Sequence, residues 1–115
     1  MRYSHGVRLI VAVLFFLMPS YLAAQAGTLA GTVVDAETGQ PLADVAVEVL
    51  GLDESQAGGV FTSAQGTFRM DLGSGTYSVV FSHLGYQTQR LDGVDVGPGE
   101  TETVTVELVS RAFRL

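Results

Sequence analysis

Among the side chains that could do chemistry, this 115-residue chain offers two histidines, twelve acids and six cations, every cation being an arginine. Lysine, cysteine, tryptophan and asparagine do not occur. The missing lysine removes Schiff-base catalysis and the lysine-bearing phosphate loop. The missing cysteine removes disulfides, thiolate zinc sites, iron–sulfur clusters and a lipoprotein anchor. The missing asparagine removes N-glycosylation. A net charge of −6 opposes the phosphate backbone that supplies most nucleic-acid affinity, so nucleic acid is excluded as a partner.

A hydrolase needs a nucleophile with a base, or a metal. His83 follows Phe81 by two residues, at the rim of an apolar strand face, and reads as a wet strand-end histidine. No serine has glycines two before and two after it, so the nucleophile elbow is absent. No His-x-x-Glu pair exists to hold zinc. Asp35, Glu37, Asp53, Glu54, Asp92 and Asp95 carry the hard oxygens that calcium prefers. They are dispersed among turn sequences, with no Asp-x-Asp-x-Asp-Gly loop, and read as a solvated surface. No catalytic residue, metal site or cofactor is expected. Sugar stacking is the remaining ligand chemistry. Tyr86 and Phe61, outside the clear core sets, are its candidate contacts, with His83 beside them.

The elements that must position these residues follow a leader. Arg2 and Arg8 precede ten unbroken apolar residues, 9–18, then Pro19, Ser20 and the small-residue exit Ala24-Gln25-Ala26. These are the parts of a secretory signal peptide, 1–26, with cleavage before Gly27 and cleavage after Ala24 as the rival. A membrane span needs about 20 apolar residues, twice this run. The remaining 89 residues hold four arginines against twelve acids, a charge of −8.

Valine and threonine supply 23 of those 89 residues and glycine another 13, a composition suited to strands and turns. Period two recurs at Val45, Val47 and Val49; at Phe68, Met70 and Leu72; at Tyr77, Val79 and Phe81; and at Val104, Val106 and Leu108. Each set gives one face to a core and one to water, as antiparallel sheets require. Strands are expected near 28–35, 45–50, 60–63, 67–72, 77–82, 86–91 and 103–108. Glu37-Thr-Gly-Gln-Pro41, Gln65-Gly66, Gly73-Ser-Gly75 and Gly97-Pro-Gly99 punctuate them. Two packed antiparallel sheets bury four apolar faces most economically, so an all-β, seven-stranded antiparallel sandwich is expected, with a small barrel as the alternative.

Several short motifs then recur in a recognisable order: Gly31-Thr-Val33-Val-Asp35, Thr38-Gly39-Gln-Pro41-Leu, Val45-x-Val47-x-Val49, Thr62-x-x-x-Gly66-x-Phe68, Gly75-x-Tyr77-x-Val79 and Gly85-Tyr86. In series they resemble the carboxypeptidase regulatory-like domain over about 27–109, with 110–115 as a tail or the start of a linker. The resemblance implies a Greek-key, transthyretin-like sandwich in which Phe68 and Tyr77 plug the core. Gly39 and Gly66 are expected to take backbone conformations costly for other residues, and Gly85 to turn the chain beside Tyr86. Where the family carries an Asp before Gly66, this chain reads Ser63-Ala64-Gln65, which removes a carboxylate cap from that turn.

In that family the domain accompanies other modules rather than catalysing. A signal peptide followed at once by this domain resembles the amino terminus of TonB-dependent outer-membrane receptors. The resemblance implies a periplasmic or outer-membrane location and envelope partners: a receptor plug and barrel, and the TonB system. The chain would then be the receptor's amino-terminal module, truncated or split. The alternative is a stand-alone secreted sandwich that binds carbohydrate or another envelope protein.

Overall fold

A computed structural model describes residues 26–111. The expected signal peptide lies outside the described residues apart from Ala26, as do the last four residues of the tail. Seven strands form and no helix is present among the described residues: β1 (Ala26–Asp35), β2 (Ala46–Leu50), β3 (Gln56–Phe61), β4 (Thr67–Gly73), β5 (Gly75–Ser82), β6 (Gln89–Val96) and β7 (Thr101–Leu108). They build a three-stranded sheet, β4-β1-β7, packed on a four-stranded sheet, β3-β2-β5-β6. The seven-stranded sandwich is the architecture that the alternation requires.

One pairing departs from the antiparallel expectation. β1 and β7 run parallel, Thr28 opposite Thr101 through Asp35 opposite Leu108, while every other strand pair is antiparallel. Parallel neighbours need a long crossover, and here the whole intervening chain supplies it. Two strand positions also shift. β3 begins at Gln56, earlier than expected, because pairing with β2 recruits Gly58 and Gly59, which carry no alternation of their own. β6 spans Gln89–Val96 rather than 86–91, because a register shift opposite Tyr77 and Val79 absorbs Gly93, which looks like a turn residue.

The core lies between the sheets and follows the period-two sets: Val45, Val47 and Val49 from β2 and its lead-in, Val79 and Phe81 from β5, Val106 and Leu108 from β7, with Leu29 and Val33 from β1. Phe68 packs edge-on against Phe81, ring centroids 5.8 Å apart at 62°. Phe81, wholly buried, is the second core plug rather than Tyr77. Tyr77 stands two residues into β5, at the sandwich end and beside the register shift. Its ring is only partly buried, and its hydroxyl donates to the Gly73 carbonyl at 2.5 Å.

The motif glycines act through contact and turn geometry. A Cβ on Gly31 would strike the Val104 carbonyl and come within 2.7 Å of the Phe68 ring, so glycine here lets that ring approach β1 closely. Gly66 takes φ 75°, and a Cβ there would sit 2.7 Å from the Val33 carbonyl and 3.0 Å from Pro41. A left-handed φ and a crowded site both require glycine. Gly39 takes φ 72° in the turn where the Asp35 amide meets the Gln40 carbonyl at 2.8 Å. Pro41 bridges back to Val34, and Gly75 opens β5 opposite Val96. The missing carboxylate cap before Gly66 is replaced. The Ser63 hydroxyl lies 3.3 Å from the amides of Gln65 and Thr67, which donate to it, and 2.7 Å from the Thr67 hydroxyl.

Candidate functional site

The three expected ligand contacts come from different elements. Phe61 ends β3, His83 follows the last residue of β5, and Tyr86 sits in the turn toward β6. Strand pairing brings them together: Ala46 in β2 lies opposite both Phe61 and Ser82. Ala46 and Ser82 are small, and both line an open depression of about 400 Å³. Phe61, His83, Leu84 and Tyr86 also line it, with Asp44 and Arg111 supplying charge of each sign. Phe61 is 67% exposed and Leu84 94% exposed, an apolar pair left in water beside small neighbours.

The turn carrying His83 and Tyr86 is held from several sides. The Tyr86 amide donates to the His83 carbonyl at 3.1 Å, closing a turn through Gly85 at φ 87°. The chain beyond β7 then pairs with it. Gln87 donates to the Val109 carbonyl and Arg111 to the Gly85 carbonyl, each at 2.8 Å, while Ser110 bridges Tyr86. Residues 110 and 111, expected as tail, are therefore fastened to the sandwich.

The Tyr86 hydroxyl donates to the Asp35 carboxylate at 2.6 Å. The other oxygen of Asp35 accepts the amides of Glu37 at 2.8 Å and Thr38 at 3.0 Å. The Tyr86 bond, followed by the Thr38 and Glu37 amides, holds the Asp35 carboxyl below its ordinary range. The same bond raises the Tyr86 phenol, helped by desolvation and by the charges of Asp35 and Glu37. This hydroxyl is committed to the fold, so Tyr86 presents its ring rather than a free polar group. The His83 ring stands edge-on to it, 5.5 Å away at 80°. Its Nδ1 lies 2.9 Å from the Leu84 carbonyl. A carbonyl only accepts, so the neutral ring carries its proton on Nδ1 and leaves Nε2 as an acceptor.

Five of the six acids that could have met calcium accept hydrogen bonds from within the chain. Asp53 accepts from Ser55, and Ser78 and Arg90 both donate to Asp92. Arg90 also reaches both oxygens of Glu54 at 2.9 Å. The Arg90 guanidinium, then the Ser78 hydroxyl, hold the Asp92 carboxyl low. Among the described residues no three of His, Cys, Asp or Glu gather as metal ligands. Leu84, Asp44 and Arg111 were not foreseen as site residues. Leu84 carried the one available signal, a bulky apolar residue directly before a turn glycine.

The sequence model of the carboxypeptidase regulatory-like domain matches residues 28–109. The TonB-dependent transporter Oar of Myxococcus xanthus is 33% identical over 91 residues, 78% of this chain and 9% of the transporter. This chain therefore spans about a tenth of that relative's length. GBS52, the minor pilin of Streptococcus agalactiae, superposes with a TM-score of 0.60 at 22% identity, covering 79% of this chain and 47% of the pilin structure. The TIE protein of Bacillus anthracis gives 0.60 at 20% identity, covering 74% of this chain and 17% of that structure. Such identities speak for the sandwich alone. The ordered motifs, the seven-stranded sandwich and the match over 28–109 agree: the chain belongs to the carboxypeptidase regulatory-like domain family.

Proposed function

We propose that this chain is a non-catalytic module of the cell envelope, exported by its leader, which serves a TonB-dependent outer-membrane transporter as its amino-terminal domain. The observation that carries the reading is the 33% identity to a TonB-dependent transporter over 78% of the chain. The test deletes codons 27–109 from the gene in its own host and measures nutrient uptake against the unaltered strain. Reduced uptake of at least one TonB-dependent nutrient is expected; unchanged uptake across a nutrient panel would refute the reading. The intact mass of the envelope-purified chain tests export. Ala26 is already in β1, opposite Gly73, and its carbonyl accepts from Gly99 at 2.6 Å. Cleavage after Ala24, which keeps that residue, is expected, and a chain still beginning at Met1 would refute export.

A second reading, ligand binding in the depression, is favoured because Phe61, His83 and Tyr86 line the same hollow. Maltoheptaose and cellohexaose serve as probes. Shifts of the His83 and Phe61 ring resonances on titration would support glycan binding, and none up to millimolar sugar would refute it.

A further inference from the structure

Four strands of the sandwich have a free edge: β4 and β7 in one sheet, β3 and β6 in the other. An unpaired edge is a template for another strand, and folds protect it with charge, proline, bulges or shortness. Three of the four are protected by charge: Arg69 and Asp71 on β4, Arg90, Asp92 and Asp95 on β6, Glu102 and Glu107 on β7. β3 reads Gln-Ala-Gly-Gly-Val-Phe, with neither charge nor proline. A register shift against Leu50 spoils its first end, but Gly58 to Phe61 pair regularly with Val49 to Ala46. Every second residue there directs its amide and carbonyl away from β2.

The open side of this edge is shaped for an occupant. A hollow of about 540 Å³ runs beside Val60 and Phe61, bounded by Ala30, Thr32, Thr67, the Phe68 ring and Arg69, whose charge favours an uncharged, apolar side chain there over a cation. Gly59 and the largely exposed Phe61 give the edge one bare position and one aromatic anchor. Acids stand at both ends. Asp53 precedes β3 in its entry loop, and the Asp44 amide donates to the Thr62 carbonyl at 3.1 Å just past its exit. The wider field has the same sign, since residues 26–111 hold twelve acids and three arginines, one of them tied to Glu54 and Asp92. A second copy of this chain would bring those acids face to face.

We propose that the free edge of β3 over Gly58–Phe61 docks an extended segment of a partner protein, apolar at alternate positions and basic at both ends, as an added strand. Backbone bonds to the edge supply affinity, the hollow beside Phe61 takes one apolar side chain, and the terminal cations meet Asp53 and Asp44. The surface is independent of the transporter reading.

The probe is the capped peptide Arg-Thr-Val-Thr-Val-Thr-Arg, titrated into the envelope-purified chain and followed by amide NMR and hydrogen exchange. Shifts and slowed exchange centred on Gly58–Phe61 are expected, weakening as salt rises. The same peptide with Glu at both ends should bind at least about tenfold more weakly, and one with a central proline should not bind. Phe61→Ala and, separately, Gly59→Lys alter exposed positions, so each should keep the native melt while lowering peptide affinity about tenfold. The proposal is overturned by shifts confined to 82–86, by equal binding of the Glu peptide, by wild-type affinity in both variants, or by concentration-dependent β3 shifts without peptide, which mean self-association.

Discussion

Thr62 is 4% exposed and carries the one buried polar side chain among the described residues. Its hydroxyl donates to the Leu42 carbonyl at 2.6 Å and accepts the Val45 amide at 2.9 Å. Its backbone amide donates to the Val45 carbonyl at 3.0 Å, so this residue joins the exit of β3 to the lead-in of β2. Thr62→Val keeps shape but strands the Val45 amide, whose residue is wholly buried. A buried donor left without a partner costs about 1–3 kcal/mol. The Leu42 carbonyl is only partly covered and recovers water, and the added methyl offsets a fraction. A net loss of about 2 kcal/mol is expected, or about 8–16 °C in Tm for a domain of this size. Thr62→Ser keeps both hydrogen bonds and gives up one methyl, about 1 kcal/mol with its small cavity. The assay is thermal and urea unfolding by far-ultraviolet circular dichroism, with the expected order wild type, Ser, Val. A Val variant that melts within about 2 °C of wild type, or above the Ser variant, would refute the assignment.

The Asp35–Tyr86 bond sets stability at both pH extremes. Asp35 titrates lower in the fold than its ordinary value near 3.9, so its contribution is complete above that pH and lost as pH falls through the lower folded value. Tyr86 titrates above about 10 in the fold, so its contribution is complete below that and lost as pH rises through the higher folded value. Tyr86→Phe should move the Asp35 carboxyl upward in a carbon NMR titration; an unmoved midpoint would contradict the bond. Gly31→Ala should cost about 1–3 kcal/mol through collision with Phe68 and the Val104 carbonyl, read as a lowered urea midpoint. Phe81→Ala should cost about 3–5 kcal/mol and Tyr77→Ala clearly less, because only Phe81 is wholly buried; equal losses would place Tyr77 in the core after all.

The strands and the core were legible wherever alternation was unbroken. Val45, Val47, Val49, Val79, Phe81, Val106 and Leu108 all point inward, as period two requires. What local pattern cannot carry is partnership. Gly58 and Gly59 have no side chains to alternate, so β3 is visible only through β2. The direction of β7 against β1 is a property of the path between them, and no residue within either strand encodes it. The depression fails to show for the same reason. Phe61 and His83 line one hollow because Ala46 pairs with both Phe61 and Ser82, a coincidence of two registers. The Tyr86–Asp35 bond spans 51 residues. Both ends stood out as motif positions, but their contact did not.

Those motif positions share a fate that bears on where function lies. Gly31 receives the Phe68 ring, Gly66 packs on Val33 and Pro41, and Asp35 takes the Tyr86 hydroxyl. Tyr77 bonds the carbonyl of Gly73 across the turn that Gly75 leaves. Each is spent on another part of the same sandwich, with its polar atoms satisfied inside the chain. A signature built this way holds the sandwich together, and a fold held so carries no ligand of its own by rule. Apart from the Tyr86 ring, the surface free to meet a partner lies outside the signature, at Phe61, Leu84 and the uncharged edge of β3. Exchanging Phe61 and Leu84 together for serine separates the two kinds of residue. Both are exposed, so the melting temperature should fall by no more than about 4–8 °C, since surface changes rarely exceed about 0.5 kcal/mol each. Binding at this end of the sandwich should be lost. A double variant that unfolds instead would show that these side chains also belong to the core.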